Sequence, residues 1–206
     1  MDAKLDHQRS RESFHDEAMK MPYYSGDKLV RLVKSNFRGK ILEFSGLAIG
    51  LSHIEFPQKK IRHVLLRNCI VLGANFEGFD ISNCSFESCV FISPNFHKAR
   101  MKYVNFEDVI FVGDTGDKRK KSSPHAPGSF ERAGFQHCHL TDVTMKDIRA
   151  RKMWMNRVDL EFCEFPDSRL EGTNILNSWV IGCDFTGTGI TEYTLGNDCT
   201  EEGSTF

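Results

Sequence analysis

Three groups of residues in this 206-residue chain have types and spacings that could do chemistry. His137-Cys138-His139 with Asp142 gathers nitrogen, sulfur and oxygen donors in a short stretch, the nearest approach to a zinc site. Tetrahedral zinc needs those donors to converge on one point. Seven cysteines raise the question of disulfides or a metal cluster, but no Cys-x-x-Cys pair exists, which reads as a reduced protein inside a cell. The run Lys118-Arg119-Lys120-Lys121 could serve an acidic partner. No nucleophile elbow, P-loop, dinucleotide-binding glycine run or zincin motif occurs. No catalytic residue, metal or cofactor is therefore expected, and the chain does not read as an enzyme.

What positions these residues is a period of five. Every fifth residue from Leu66 is apolar: Val71, Phe76, Ile81, Phe86, Phe91, Phe96, Met101, Phe106 and Phe111. The series restarts at Phe130 and runs through Phe135, Leu140, Met145, Ala150, Met155, Leu160, Phe165, Leu170, Ile175, Val180, Phe185 and Ile190 to Leu195. In a chain that is 40% hydrophobic, chance agreement is on the order of one in a billion. Two residues before each sits a smaller side chain, as in Cys69, Ala74, Cys84, Cys89 and Ala99, with Phe79 and Met153 as large exceptions. A helix repeats at 3.6 and a strand at 2.0, so five implies a short extended segment, a turn, and repetition. Cys69, Cys84, Cys89, Cys138, Cys163 and Cys183 all fall at the small inward position and read as buried hydrophobes; only Cys199 is left over. Cys138 then points inward while His137 and His139 point outward, so the three donors diverge.

The quintets Ala74-Asn75-Phe76-Glu77-Gly78, Val104-Asn105-Phe106-Glu107-Asp108 and Cys183-Asp184-Phe185-Thr186-Gly187 resemble the pentapeptide repeat. The resemblance covers about residues 64–195 and implies an all-β fold, a right-handed quadrilateral parallel β-helix with four quintets to a coil. Matches at a spacing of twenty support it: Phe76 with Phe96, Phe86 with Phe106, Cys69 with Cys89, Cys163 with Cys183. On that reading 24 quintets make about six coils, stabilised by stacking of each coil on its neighbours.

The organisation expected is a leader and short capping helix (1–36), a β-helix (37–195) and a tail (196–206). Residues 1–22 read as disordered. Ser25-Gly26-Asp27 before Lys28–Lys34 reads as a helix start, with Leu29, Leu32 and Val33 as a lid on the first coil. Residues 37–63 read as a degenerate coil, with Ile41, Leu51, Phe56 and Ile61 in the large-residue register and Phe44, Ile49 and Ile54 at small positions. Residues 112–129 read as an extruded loop.

Net charge is -1, so direct nucleic-acid binding is not expected, and no apolar run is long enough to span a bilayer. Residues 1–63 carry 12 basic against 8 acidic side chains, whereas 159–206 set Arg169 against ten acids. Outward positions form a basic stripe (Arg132, Arg149, Arg151, Lys152, Arg169), an aromatic patch (Phe162, Trp179, Ile181) beside Asp159 and Glu161, and an acidic face (Glu164, Asp167, Asp184). The expected function is a non-enzymatic scaffold that binds a macromolecular partner, expected to be a protein, through the patch, the loop or the N-terminal segment, with Arg149, Arg151 and Lys152 of the stripe as further candidate contacts. One version is a bacterial effector, cytoplasmic or delivered into a host cell by a specialised secretion system. Some relatives act as DNA mimics that shield type II topoisomerases from quinolones. This chain departs from them in its near-neutral charge, its basic face and its lack of a dimerising C-terminal helix. A third reading is the repeat portion of a larger catalytic effector.

Overall fold

The structure is a computed structural model and describes residues 11–35, 41–51, 59–113, 128–191, 194–196 and 198–206. In chain order its elements are α1 (Arg11–Ala18), β1 (Tyr23–Ser25), α2 (Gly26–Ser35), β2 (Leu42–Ser45), β3 (Ala48–Gly50), β4 (Lys60–Arg62), β5 (Val64–Arg67) and β6 (Ile70–Leu72). There follow β7 (Asp80–Glu87), β8 (Val90–Ile92), β9 (Arg100–Glu107), β10 (Ile110–Val112), β11 (Gly134–Thr141) and β12 (Thr144–Lys146). The last are β13 (Trp154–Glu161), β14 (Asn174–Leu176), β15 (Trp179–Ile181) and β16 (Thr200–Glu202).

Every strand pairing is parallel, and each joins a residue to its counterpart one coil away. Ile61, Ile81, Met101, Phe135, Met155 and Ile175 stack in one column and open six complete coils. With partial coils at both ends, the parallel β-solenoid has about seven turns.

The five-residue turn has a local cause. Successive quintets carry a left-handed residue: Asn83, Ser88, Ser93 and Lys98 in a single coil have φ of 52°, 49°, 53° and 55°. Each such residue bends the extended segment through a corner. Asn, Asp and Gly adopt that conformation readily. Phe162, Tyr103 and Arg132 adopt it too, with φ of 53°, 55° and 58°. For these larger side chains the corner costs roughly 1–2 kcal/mol, which stacking must exceed.

Stacking supplies it inside the rod. Phe96 lies 5.0 Å from Phe76 and 4.6 Å from Phe130, and Phe86 stacks on Phe106 at 5.1 Å. The small inward residues follow a second rule. Cys163 Sγ donates to the Leu140 carbonyl at 3.2 Å, Ser168 Oγ to Met145 at 2.6 Å and Thr173 Oγ1 to Ala150 at 3.1 Å. A thiol or hydroxyl at this position therefore satisfies itself on the coil above, which explains why Cys, Ser and Thr interchange there.

Several expectations need correcting. Phe44 pairs with Leu66 and Ile49 with Val71, so both occupy the large inward position, not the small one, while Ile41 is exposed. The spacing there is 22, not 20, which hid the true register. Residues 11–18, read as part of a disordered leader, form α1. Its Phe14 and Ala18 are buried on the outer side of β6, β8 and β10, among Ile70, Val90, Ile92, Ile110 and Val112. The outward positions of that side are apolar because a helix covers them. The lid is present in α2, where Leu29 is buried in the main core; Leu32 is exposed, and the Val33 side chain lies outside the described residues. The tail is also more than a tail. β16 pairs with β15, Cys199 packs against the core, and Phe206 stacks on Phe185 at 5.4 Å, closing the C-terminal end.

The insertion is 14 residues long in register terms, because Ile110 pairs with Thr144, 34 residues on, whereas its partner on the other side, Val90, is twenty residues away. Phe130 accordingly sits beneath Phe96. Among the described residues no helix is long and apolar enough to cross a membrane.

Candidate functional site

Because the interior is filled by side chains, chemistry is confined to the outer columns. Cys138 is buried, His137 stacks on Tyr103 at 5.1 Å, and His139 Nδ1 lies 2.8 Å from Asp159 Oδ2. Among the described residues no three His, Cys, Asp or Glu side chains are placed to hold one metal ion. The seven cysteines are free thiols. Burial pushes the Cys84 and Cys138 thiols up to about 11, opposed by backbone hydrogen bonds.

The aromatic patch assembles around one corner. Trp179 and Ile181 are alternate residues of β15 and point outward, flanking buried Val180. They pair with Asp159 and Glu161 of the coil above. Phe162 follows Glu161 at the corner, and its amide donates to the Ile181 carbonyl at 2.8 Å. Its ring lies over Gly182, where a Cβ would come within 2.7 Å of ring carbon. Trp179 is 58% exposed and Phe162 56%. These are the most exposed large hydrophobic side chains among the described residues of the coils from Ile61 to Ile190.

The basic stripe is also gathered in space. Arg149 bridges to Arg169 on the next coil, and Arg132 and Lys152 occupy successive positions of one left-handed corner column. Burial, then the nearby Arg151 and Arg169 charges, hold the Arg149 guanidinium below its usual value, against the pull of Glu131. Arg151 approaches Glu131 at 4.0 Å. The acidic face forms a column in which Glu164 bridges Asp184. Asp184 accepts from the Thr186 amide and the Thr205 hydroxyl at 2.9 and 2.8 Å, which lowers its pKa. Lys118, Arg119, Lys120 and Lys121 lie outside the described residues.

Sequence reasoning missed a second concave surface. Arg62, Lys98, Arg100, Lys102, Arg132 and Trp154 line a groove of about 580 Å³ on the side built by β4 and the first halves of β7, β9, β11 and β13. The signal was present in the residues, but the 14-residue insertion puts Lys102 level with Gln136 rather than with residue 122.

The Pentapeptide repeats family, represented by eight copies, matches residues 63–108. No curated protein matches the chain in sequence. Among solved structures, a trypsin-treated variant of QnrB1, a plasmid-mediated fluoroquinolone resistance protein, is 13% identical, with 80% of this chain and 82% of that chain covered and a TM-score of 0.40. HetL, a pentapeptide repeat protein involved in heterocyst differentiation regulation from the cyanobacterium Nostoc sp. strain PCC 7120, is 8% identical, with 87% and 91% covered and a TM-score of 0.39. The strand register and the repeats themselves define the fold. The quintets matched at 63–108 and the parallel coils with left-handed corners that continue beyond them show a pentapeptide-repeat β-solenoid fold.

Proposed function

We propose that this chain is a non-catalytic scaffold whose outer columns bind a macromolecular partner, with the corner formed by Phe162, Trp179 and Ile181 as the protein-binding contact. The observation that carries this reading is the exposure of Trp179 and Phe162 on adjoining coils, one of them held at a left-handed corner. Large aromatics left in water at an ordered surface are the usual anchors of protein interfaces. The Arg149–Arg169 stripe and the Lys118–Lys121 run are further contacts on this reading, and delivery as a bacterial effector is one setting for it.

Shielding a topoisomerase as a DNA mimic would need an extended negative face. The column that comes nearest, Glu87, Glu107, Glu161 and Glu202, is broken by Thr141 and Ile181, and begins with Arg67 bound to Glu87 at 2.6 Å.

The test is site-specific photocrosslinking with benzoylphenylalanine at positions 179 and 162, and at 77 on a remote corner. Discrete adducts from 179 and 162, absent at 77, support the reading. Equal labelling from all three positions, or none from any, refutes it.

A further inference from the structure

We propose that the groove around Trp154 binds single-stranded nucleic acid, a ligand and a face separate from the aromatic corner above. Five cations border it: Arg62, Lys98, Arg100, Lys102 and Arg132. Asp80 is the one carboxylate in its lining. No carboxylate among the described residues comes within ion-pair range of any of the five, whereas Arg67, also exposed, is clamped between Glu43 and Glu87. Among the described residues these cations therefore border a concave surface without a carboxylate partner, Lys102 resting over an aromatic ring, which fits a polyanion.

The coils set their spacing. Arg100 and Lys102 are alternate outward residues of β9, roughly 6.6–6.8 Å apart along the strand. Lys98 and Arg132 stack on successive corners, roughly 4.8 Å apart along the rod. From Arg62 to Trp154 the groove crosses four coil steps, roughly 19 Å at that spacing.

An acidic peptide would satisfy the charge but would leave the aromatics unexplained. The Trp154 indole lies over Gly134, with ring carbons 3.2 and 3.8 Å from where a Cβ would stand. Any larger residue at 134 would lift the ring. The indole thus lies against the Gly134 backbone and is 40% exposed, beside the cations. Outside the groove's lining, on the corner after Lys102, Tyr103 is 50% exposed and stacked on His137, and Lys102 Nζ lies 5.0 Å over its ring. An exposed aromatic beside a row of cations is how proteins hold a single strand without reading its sequence: a base stacks and phosphates pair.

The test uses the full chain carrying Trp179→Phe, so that Trp154 is the remaining indole of the two. Titration with an oligoadenylate is expected to quench Trp154 emission saturably. The affinity should fall with added salt at a slope of about −2 for three phosphate contacts. Arg100→Glu with Lys102→Glu should weaken binding at least about tenfold, and Trp154→Leu, read by anisotropy of a labelled strand, about tenfold. Lys146→Glu, on a different side of the rod, should change little and controls for net charge. Absence of saturable quenching overturns the proposal. So does polyglutamate quenching Trp154 and displacing the strand at equal charge concentration, because the groove would then be a site for acidic polypeptide.

Discussion

Phe96→Ala tests whether stability is carried by rings stacked from coil to coil. Phe96 has no solvent exposure and contacts the rings of Phe76, Phe91, Phe111 and Phe130 at centroid distances of 5.0, 6.1, 6.0 and 4.6 Å. Removing the ring takes on the order of 150 Å² of buried apolar surface from the core, about 4 kcal/mol at 25 cal/mol per Å². The ring-ring terms and the cavity add to this, and residual compactness of the unfolded chain subtracts. The expected loss is about 3–5 kcal/mol, a large share of the roughly 5–15 kcal/mol typical of a folded domain. Because neighbouring coils hold each other, the damage should also split the rod into halves that unfold separately, so the urea transition should broaden as well as shift. The comparison is Phe206→Ala, where the ring is 38% exposed and touches Phe185 alone among the aromatics. There a loss of about 1 kcal/mol is expected, with an unchanged slope. Equal midpoints for the two variants in urea titrations followed by circular dichroism would refute the reasoning.

Gly182→Ala should cost about 1–3 kcal/mol, since a Cβ there meets the Phe162 ring at 2.7 Å and stands at a φ of 59°. Adding Phe162→Ala should recover part of that loss in thermal melts, and no recovery would show that the ring contact is irrelevant. Phe14→Ala should release α1 while leaving the coils intact, seen as loss of amide protection confined to Arg11–Ala18 in hydrogen exchange. Protection that survives the substitution would rule out Phe14 as the anchor. Stability should also depend on alkali through Cys84 and Cys138. Their thiols sit at about 11 in the folded chain against an ordinary 9.0, so folding favours the protonated form. This contribution is complete below pH 9 and is lost as pH rises from 9 to 11. Cys84→Ser with Cys138→Ser should flatten the dependence in urea midpoints across that window; an unchanged dependence would assign it to other groups.

The repeat was legible because one large residue in five must face the axis, and Phe86, Phe91 and Phe96 obey that. Its ends were not. Capping coils have a neighbour on one side alone, so spacing relaxes to 22 at Phe44 and 21 at Phe206, and a strict period misreads them. α1 escaped notice because a helix of eight residues with two buried side chains has no clear amphipathic pattern. Its docking surface did leave a trace, in the triplets Ile70-Val71-Leu72, Val90-Phe91-Ile92 and Ile110-Phe111-Val112, apolar at positions that elsewhere face water. The aromatic corner was legible, since Phe162, Trp179 and Ile181 are apolar out of register. The groove was not. Its cations come from three coils and one loop insertion separates four of them in sequence from Arg132 and Trp154, while a net charge of -1 sums over faces that never meet.

α1 lies across strands from three successive coils and so behaves as a splint. A rod held by nearest neighbours alone frays equally from both ends. This one has a preferred order of disassembly: coils beyond β12 peel singly, whereas those beneath α1 separate only after the splint lifts. A partner or a proteolytic cut that removed the first twenty residues would turn a stiff end into a fraying one without touching a single coil contact.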